Sequence, residues 1–364
     1  MRKNWQKPVC VIGKTEDKGK IMKPFRIGLY GCGGRTMQIV EKAVKEGRAK
    51  VTLCYDINPE HAEHHAALYG ARVCSKQELL ESKECDMLLI ALFPAAHPEA
   101  LLESIPSGKP IYIKKPIAVT INDIVKLLPL LEKGYVHVGC SYHYFPVFRT
   151  IENLVKSGKV GKIISMHIDS MGNTDMHSNV WGGKQPNWRG RPETGGELTQ
   201  HGTHKFEFMR RLCGDFRSVA AQSLKRSDNP SNIEDLWALI MTQGEDTQTL
   251  LRYSFRNSIF REGGYIEGEK GTIEYIWSNP SILNLYESSF TKKDPVSIPL
   301  VENLGPEDQL DDFIERYKNG LRPDVDLEDG IWSILPPIYA RESAATGKTI
   351  AFPKKLTDLL PQQI

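Results

Sequence analysis

No apolar run in this chain approaches the roughly 18–20 residues that a membrane-spanning helix needs. Nor is any segment repeated or of low complexity. A charge excess is also missing: 47 Lys and Arg stand against 45 Asp and Glu, a formal net charge of +2. That balance gives no electrostatic reason to expect nucleic acid or a membrane surface as partner. The 7 cysteines are odd in number, scattered and never spaced C-x-x-C, which disfavours a disulfide or zinc framework. A reduced, cytoplasmic setting is the simplest expectation. Residues 1–24 are basic but hold no apolar run longer than VCVIG, too short for a secretory signal core, and read as a tail or short arm.

What is present is length and pattern. A chain of 364 residues exceeds one ordinary core, so two domains are expected. FRIGLYGCGGRT (25–36), AKVTLCYDINPEHA (49–62), CDMLLIALF (85–93) and KPIYIKKPIAVT (109–120) read as strands, the last broken by Pro116. Helical stretches such as Met37–Glu46 and Pro59–Tyr69 lie between them. Alternating strand and helix predict a parallel, doubly wound sheet over 25–144. Beyond it, KIISMHIDS (162–170), DLWALIMTQ (235–243), TLLRYSFRN (249–257) and GTIEYIW (271–277) predict an open, mostly antiparallel sheet in an α+β domain over 145–364.

Gly31-Cys32-Gly33-Gly34-Arg35-Thr36 approximates G-x-G-x-x-G, with Thr36 in the third glycine's place. Gly31 suits a tight turn, Gly33 suits close approach of a pyrophosphate, and the next helix offers N–H donors to phosphate. Asp56 ends the second strand twenty residues beyond Thr36, where a ribose-binding acid belongs. The competing reading of Asp56 is a helix cap before Pro59. Ile57 and Asn58 supply no cation for a 2′-phosphate, which favours NAD over NADP.

Five ordered segments give the chain a family likeness: DMLLIALFPAAHPEALLESIPSGKPIYIKKPIAVT, VGCSYHYFPVFRTIENLVKSGKVGKI, TGGELTQHGTHKFEFMRRLCGD, IEGEKGTIEY and DVDLEDGIWSILPPIYARESAATGKTI. Over residues 25–353 the chain resembles the Gfo/Idh/MocA oxidoreductases, the glucose–fructose oxidoreductase and inositol dehydrogenase group. The resemblance implies a Rossmann domain joined to an open-sheet domain. It also implies hydride transfer between NAD(P) and a secondary hydroxyl of a sugar, polyol or glycoside. By the same resemblance Lys115 is the lysine of the E-K-P motif and His204 the catalytic histidine of G-G-x-x-x-D-x-G-x-H. The chain departs at three places: Lys114 replaces the motif glutamate, Gln200 the motif aspartate, and Leu92-Phe93-Pro94 stands where T-P-N is usual. Leu92, Phe93, His97, Lys114 and Lys115 are carried over as cofactor-facing positions, and Gln200 as a catalytic and substrate position.

Oxidising a secondary alcohol removes a hydride from carbon and a proton from oxygen. Histidine suits proton transfer near neutral pH, and a lysine donor stabilises developing alkoxide charge. His201 and His204, three apart on one expected helix, could share a metal, but no third ligand has a recognisable spacing, so no metal is expected. His201 and His143 are substrate-side candidates; for His143, packing among Tyr142, Tyr144 and Phe145 is an equal alternative. Segment 176–193 reads as a loop over the pocket, with Trp181, Trp188 and Arg189 available to a sugar. Two rival functions stand beside the dehydrogenase. One is an NAD-retaining glycosidase or lyase that oxidises transiently and then eliminates; the other is a non-catalytic sugar or nucleotide sensor. The open sheet predicts a homo-oligomer, a dimer or tetramer.

Overall fold

The computed structural model describes residues 23–173, 191–226, 233–287 and 294–361. The N-terminal tail through residue 22, and the segment holding Trp181, Trp188 and Arg189, lie outside these. The chain forms two compact units. The first comprises the described residues through Ala118, Asp123–Cys140 and Gly305–Gly330. The second comprises Val119–Asn122, Ser141–Leu304 and Ile331 onward.

The first unit is a parallel sheet of six strands: β1 (Phe25–Tyr30), β2 (Ala49–Tyr55), β3 (Arg72–Val73), β4 (Met87–Ile90), β5 (Ile111–Ile113) and β6 (Val136–Val138). Helices α1 (Gly34–Lys45), α2 (Pro59–Tyr69), α3 (Lys76–Glu81), α4 (His97–Ser104) and α5 (Ile121–Leu127) alternate with them. Ile27, Leu29, Val51, Met87 and Leu89 are fully buried, as expected where helices cover both sheet faces. The strand order is β3-β2-β1-β4-β5-β6, so it reverses direction between β1 and β4. In such sheets ligands bind outside the carboxyl ends of the strands flanking that reversal. The glycine turn, Leu92-Phe93 and Lys114-Lys115 all follow carboxyl ends, those of β1, β4 and β5.

A single cut at residue 144 does not describe this unit, because Gly305–Gly330 returns to it. The cause is α9 (Gln309–Lys318), whose Leu310, Phe313 and Ile314 join Ile27, Val40 and Met87 in one core. Polar contacts add register: Gln309 accepts from the Tyr112 hydroxyl at 2.5 Å and donates to the Cys140 carbonyl at 2.5 Å.

The second unit is a nine-stranded sheet ordered β14-β13-β12-β11-β7-β10-β9-β8-β15. Its strands are β7 (Ile163–Asn173), β8 (Phe216–Leu224), β9 (Leu236–Gln243), β10 (Thr247–Ser254), β11 (Arg256–Gly268), β12 (Gly271–Trp277), β13 (Ile282–Glu287), β14 (Val296–Ser297) and β15 (Ile350–Ala351). Among the described residues β7 and β10 run parallel, and the other pairs are antiparallel. β9 alternates strictly, with Trp237, Leu239 and Met241 buried and Ala238, Ile240 and Thr242 exposed. Helices α6 (Pro146–Lys156), α7 (Gly196–Gln200), α8 (Gly202–Cys213) and α10 (Leu327–Thr346) complete the elements. Phe148 of α6 meets Phe208 of α8 at 5.1 Å and Tyr275 of β12 at 5.8 Å between ring centroids, so these helices cover the sheet's buried face. Among the described residues no helix is long and apolar enough to cross a membrane.

Candidate active site

The glycine turn is built from backbone necessity. Gly31 has φ +96°, and a Cβ there would fall 2.5 Å from the Ala91 carbonyl oxygen, so only glycine fits. Gly33 caps α1 in extended conformation without a side-chain bond. A Cβ at Gly33 or Gly34 would meet nothing within 4 Å, so the surface above the α1 N-terminus is open to a phosphate. Thr36 is fully buried, and its hydroxyl donates to the Gly31 carbonyl at 2.9 Å. Its bulk is used to hold the turn rather than to disturb it. The Cys32 side chain is 2% exposed, so what this position offers at the turn is backbone. Arg35 continues the first turn of α1, and its side chain is not among those described.

Asp56 ties that turn to the second strand. One carboxylate oxygen accepts from the Cys32 N–H at 2.7 Å, the other from the Asn58 N–H at 2.8 Å. The cap of α2 is Asn58, which accepts from the Glu60 N–H, so capping does not explain Asp56. A carboxylate offers about four acceptor sites, which leaves room for ribose hydroxyls. These residues fit a dinucleotide: open glycines, unspent helix N–H groups and an anchored acid.

His97 departs from expectation. It is 1% exposed; Nδ1 donates to the Pro116 carbonyl at 2.7 Å while Nε2 accepts from the Leu92 N–H at 3.3 Å. With both nitrogens spent internally it brackets the two loops after β4 and β5 instead of facing a ligand. Burial lowers its pKa to about 4, from the ordinary 6.5. The unfolded state therefore binds a proton that the folded state refuses, so stability is lost as pH falls from 6.5 toward 4. The expected loss is about 3 kcal/mol at the acid end. Urea midpoints across that range should fall in the wild type more steeply than in His97→Gln, and parallel slopes would refute this role. Phe93 is 41% exposed, Lys114 and Lys115 are half-buried, and the Lys115–Pro116 peptide is cis.

In the second unit the two histidines separate. Gly195 and Gly196 have φ of +76° and +59° and turn the chain into α7. Arg341 donates to the Gly195 carbonyl and to the Thr199 hydroxyl, fastening that turn to α10. The helix then breaks at His201 (φ −99°, ψ −32°), which caps α8, so one continuous helix face is not formed. His201 Nδ1 lies 2.6 Å from the buried Glu197 carboxylate, whereas His204 Nδ1 accepts from the Ser141 N–H at 3.1 Å. The pair therefore have different partners. Among the described residues no trio of His, Cys, Asp or Glu is placed to hold a metal.

His204 is half-buried and stacks on Tyr142 with centroids 5.5 Å apart and planes 6° apart. Gln200 is 3% exposed, and its amide donates to the Thr194 carbonyl at 2.6 Å, which anchors the preceding turn. His143 is fully buried, 3.7 Å from Glu207 and packed on Tyr144, which decides for packing over substrate contact. Trp188 and Arg189 lie outside the described residues.

Residues 25–142 match the model of an oxidoreductase family with an NAD-binding Rossmann fold, and residues 148–274 the GFO/IDH/MocA C-terminal domain. The chain belongs to the GFO/IDH/MocA oxidoreductase family. Its first unit is an NAD-binding domain. An inositol 2-dehydrogenase of Ralstonia nicotianae is 24% identical over 198 residues, 52% of this chain and 55% of that protein. A 1,5-anhydro-D-fructose reductase of Ensifer adhaerens is 22% identical over 346 residues, 89% of this chain and 97% of that one. A levoglucosan dehydrogenase solved with NADH shares the fold with a TM-score of 0.80 at 17% identity, covering 91% of this chain and 100% of that chain. Within this GFO/IDH/MocA frame, the residues that the sequence did not mark are Arg341 beneath α7 and the polar group beside Tyr142, namely Lys205 and Glu262. None belongs to a short motif, and each meets its partner only through tertiary contact.

Proposed function

We propose that this protein is an NAD-dependent oxidoreductase acting on a secondary hydroxyl of a sugar, polyol or glycoside, a pyranose C3 hydroxyl being one candidate position. The observation that carries the reading is His204: a half-buried imidazole at the family's catalytic position, held by a backbone N–H and a parallel aromatic ring. The names of the relatives, which act on inositol, an anhydrofructose and levoglucosan, support a polyol or sugar ring as substrate class. NAD supplies the hydride acceptor when bound. Gly33, Gly34 and the α1 N-terminus would hold its phosphates and Asp56 its ribose. The residues proposed for the chemistry are Lys115 and His204, side chains suited to proton transfer and to hydrogen bonding with a hydroxyl oxygen.

The test is a panel of aldoses, polyols and anhydro-sugars incubated with NAD, followed by NADH absorbance. The nicotinamide released from denatured protein is measured alongside. Ring-hydroxyl oxidation of at least one compound is expected. No nicotinamide binding and no turnover across the panel would reject the reading.

The charge on Asp56 sets cofactor choice. It repels a 2′-phosphate, so NAD is expected to bind at least about tenfold tighter than NADP, one such factor corresponding to about 1.4 kcal/mol. Asp56→Ala should narrow that gap and also weaken NAD, because the Cys32 N–H loses its acceptor. Calorimetry with both dinucleotides reads each affinity directly; equal or tighter NADP binding in the wild type would defeat the assignment.

Assembly is expected through the second sheet. Ile240, Leu250, His167 and Tyr265 form one cross-strand row on its outer face, with Ile240 51% and Tyr265 44% exposed. We propose that a second copy covers this row, in a dimer or tetramer. Light scattering at micromolar concentration should report a multiple of 41.1 kDa. A monomer there, or an assembly that survives Ile240→Lys with Tyr265→Glu unchanged, would exclude this face.

A further inference from the structure

The acid that sets cofactor choice has an imidazole beside it. Asp56 follows β2, and α2 begins three residues later at Pro59. The turn between them folds back on the acid. Asn58 caps the helix with its side chain and donates its own N–H to Asp56 Oδ1 at 2.8 Å. His61, the third residue of α2, is carried round with it, and its Nδ1 comes to 3.9 Å from the same oxygen. The helix holds that place: the His61 N–H donates to the Asn58 carbonyl at 3.1 Å, and the His61 carbonyl lies 3.1 Å from His65 Nδ1. Asp56 Oδ2 is turned the other way, to the Cys32 N–H at 2.7 Å. The carboxylate therefore has the glycine turn on one side and an imidazole on the other.

An acid in this place bonds the ribose 2′-hydroxyl of a dinucleotide and repels a phosphate esterified there. A hydroxyl oxygen so bonded lies about 2.7 Å from its acceptor. A side chain 3.9 Å from that acceptor borders the space a 2′ substituent needs. Ile57 and Asn58 supply no cation there, but the first turn of α2 brings in the residue five places beyond the acid. Imidazole is the side chain that changes charge between mildly alkaline and mildly acid solution. Uncharged, it leaves Asp56 to exclude a 2′-phosphate; charged, it attracts one. The other titratable groups around His61 are Asp56, Glu60 beside it, and His64 and His65 one turn on. The Arg35 side chain, at the start of α1, is outside those described. His65 is 3% exposed and burial lowers its pKa, whereas His61 has its side chain 58% exposed, so the cation available to Asp56 is His61.

We propose that His61 is a proton-gated determinant of cofactor choice. Neutral, it leaves the preference of Asp56 for NAD intact; protonated, it receives the 2′-phosphate of NADP and narrows that preference. This rests on the dinucleotide site assigned to the first unit and concerns which dinucleotide enters it, not the chemistry on the substrate. NADP binding then favours the protonated imidazole, so a proton is taken up with the ligand and NADP affinity rises as pH falls. NAD has no 2′-phosphate and draws no such proton. Solvent reaches His61, so the gain between about pH 8 and about pH 6 is roughly fivefold, the scale of a charge-assisted bond at an exposed site. It should shrink in high salt. A phosphate monoester itself titrates near about pH 6. The wild-type profile therefore combines two protons, and a side chain that does not titrate separates them.

Calorimetry of NAD and NADP at about pH 8 and about pH 6, on wild type, His61→Gln and His61→Lys, tests the assignment without any substrate. Glutamine keeps a polar side chain and removes the charge; lysine keeps a charge at both pH values. The quantity read is the ratio of NADP to NAD affinity. Between the two pH values it should rise roughly fivefold more in wild type than in His61→Gln. In His61→Lys it should already be raised at the higher pH. Repeating the NADP titration at about pH 6 in buffers of different ionisation enthalpy counts the protons taken up, and wild type should take up more than His61→Gln. Equal profiles and equal proton uptake in wild type and His61→Gln would overturn the proposal. So would a His61→Lys ratio equal to that of wild type at the higher pH, since a fixed charge beside the 2′ position must favour a phosphate there. NAD binding in each variant shows that the fold is intact. Binding of neither dinucleotide by wild type at either pH would reject the dinucleotide site itself, a failure distinct from NAD binding that His61 does not influence.

Discussion

Lys115→Ala is expected to lower kcat roughly a thousandfold, within the range for loss of a general acid–base group combined with an alkoxide-stabilising donor. Lys115 follows the carboxyl end of β5, and the loop that carries it is fastened by the Pro116 carbonyl to His97. The backbone there should therefore survive removal of the side chain. Lys115→Arg makes the expectation sharper. Arginine keeps the charge and the donors, but it cannot be deprotonated in a protein. If Lys115 takes the hydroxyl proton, the arginine variant should fail almost as completely as alanine. If it acts only through its charge, arginine should recover much of the rate. Stopped-flow measurement of NADH formation, with NAD affinity measured separately by calorimetry, distinguishes these outcomes. Activity of Lys115→Ala within threefold of wild type would remove Lys115 from the chemistry.

His204→Ala is expected to cost roughly a hundredfold in kcat, the scale for losing a general acid–base group. NAD binding should hardly change. His201→Ala offers the contrast. His201 Nδ1 faces the buried Glu197 carboxylate at 2.6 Å, so its loss takes a partner from a buried acid and should lower stability more than turnover. A metal bound by both histidines would make the two substitutions equally damaging and would let a chelator inactivate the wild type. The break between α7 and α8 at His201 argues for the unequal pattern. Unfolding midpoints and kcat measured on both variants separate the two effects. Full activity in His204→Ala on a true substrate would end the mechanism.

Much of the architecture is local in origin. The strands with continuous apolar runs, the helix starting at Pro59 and the alternation of β9 are periodicities that any window of ten residues displays. The glycine turn is local as well: φ of +96° at Gly31 is a demand on one residue that the adjacent strand and helix make predictable. β3 was not legible, because two residues carry no period. The membership of α9 in the first unit was not legible either. An amphipathic helix announces that it has an apolar face, but not which sheet, nearly three hundred residues back in the chain, will cover Phe313.

The site divides along the same line. Lys115 and His204 were marked by short motifs, and Asp56 by its spacing from the glycines. The roles of their neighbours were not. His97, His143 and Gln200 carry side chains suited to a ligand, and only packing revealed that burial and internal hydrogen bonds had already claimed them. Whether an imidazole accepts or gives a proton depends on the partner of its second nitrogen. For His204 that partner is the backbone of Ser141, a peptide N–H that every sequence possesses and that only the tertiary fold brings to 3.1 Å.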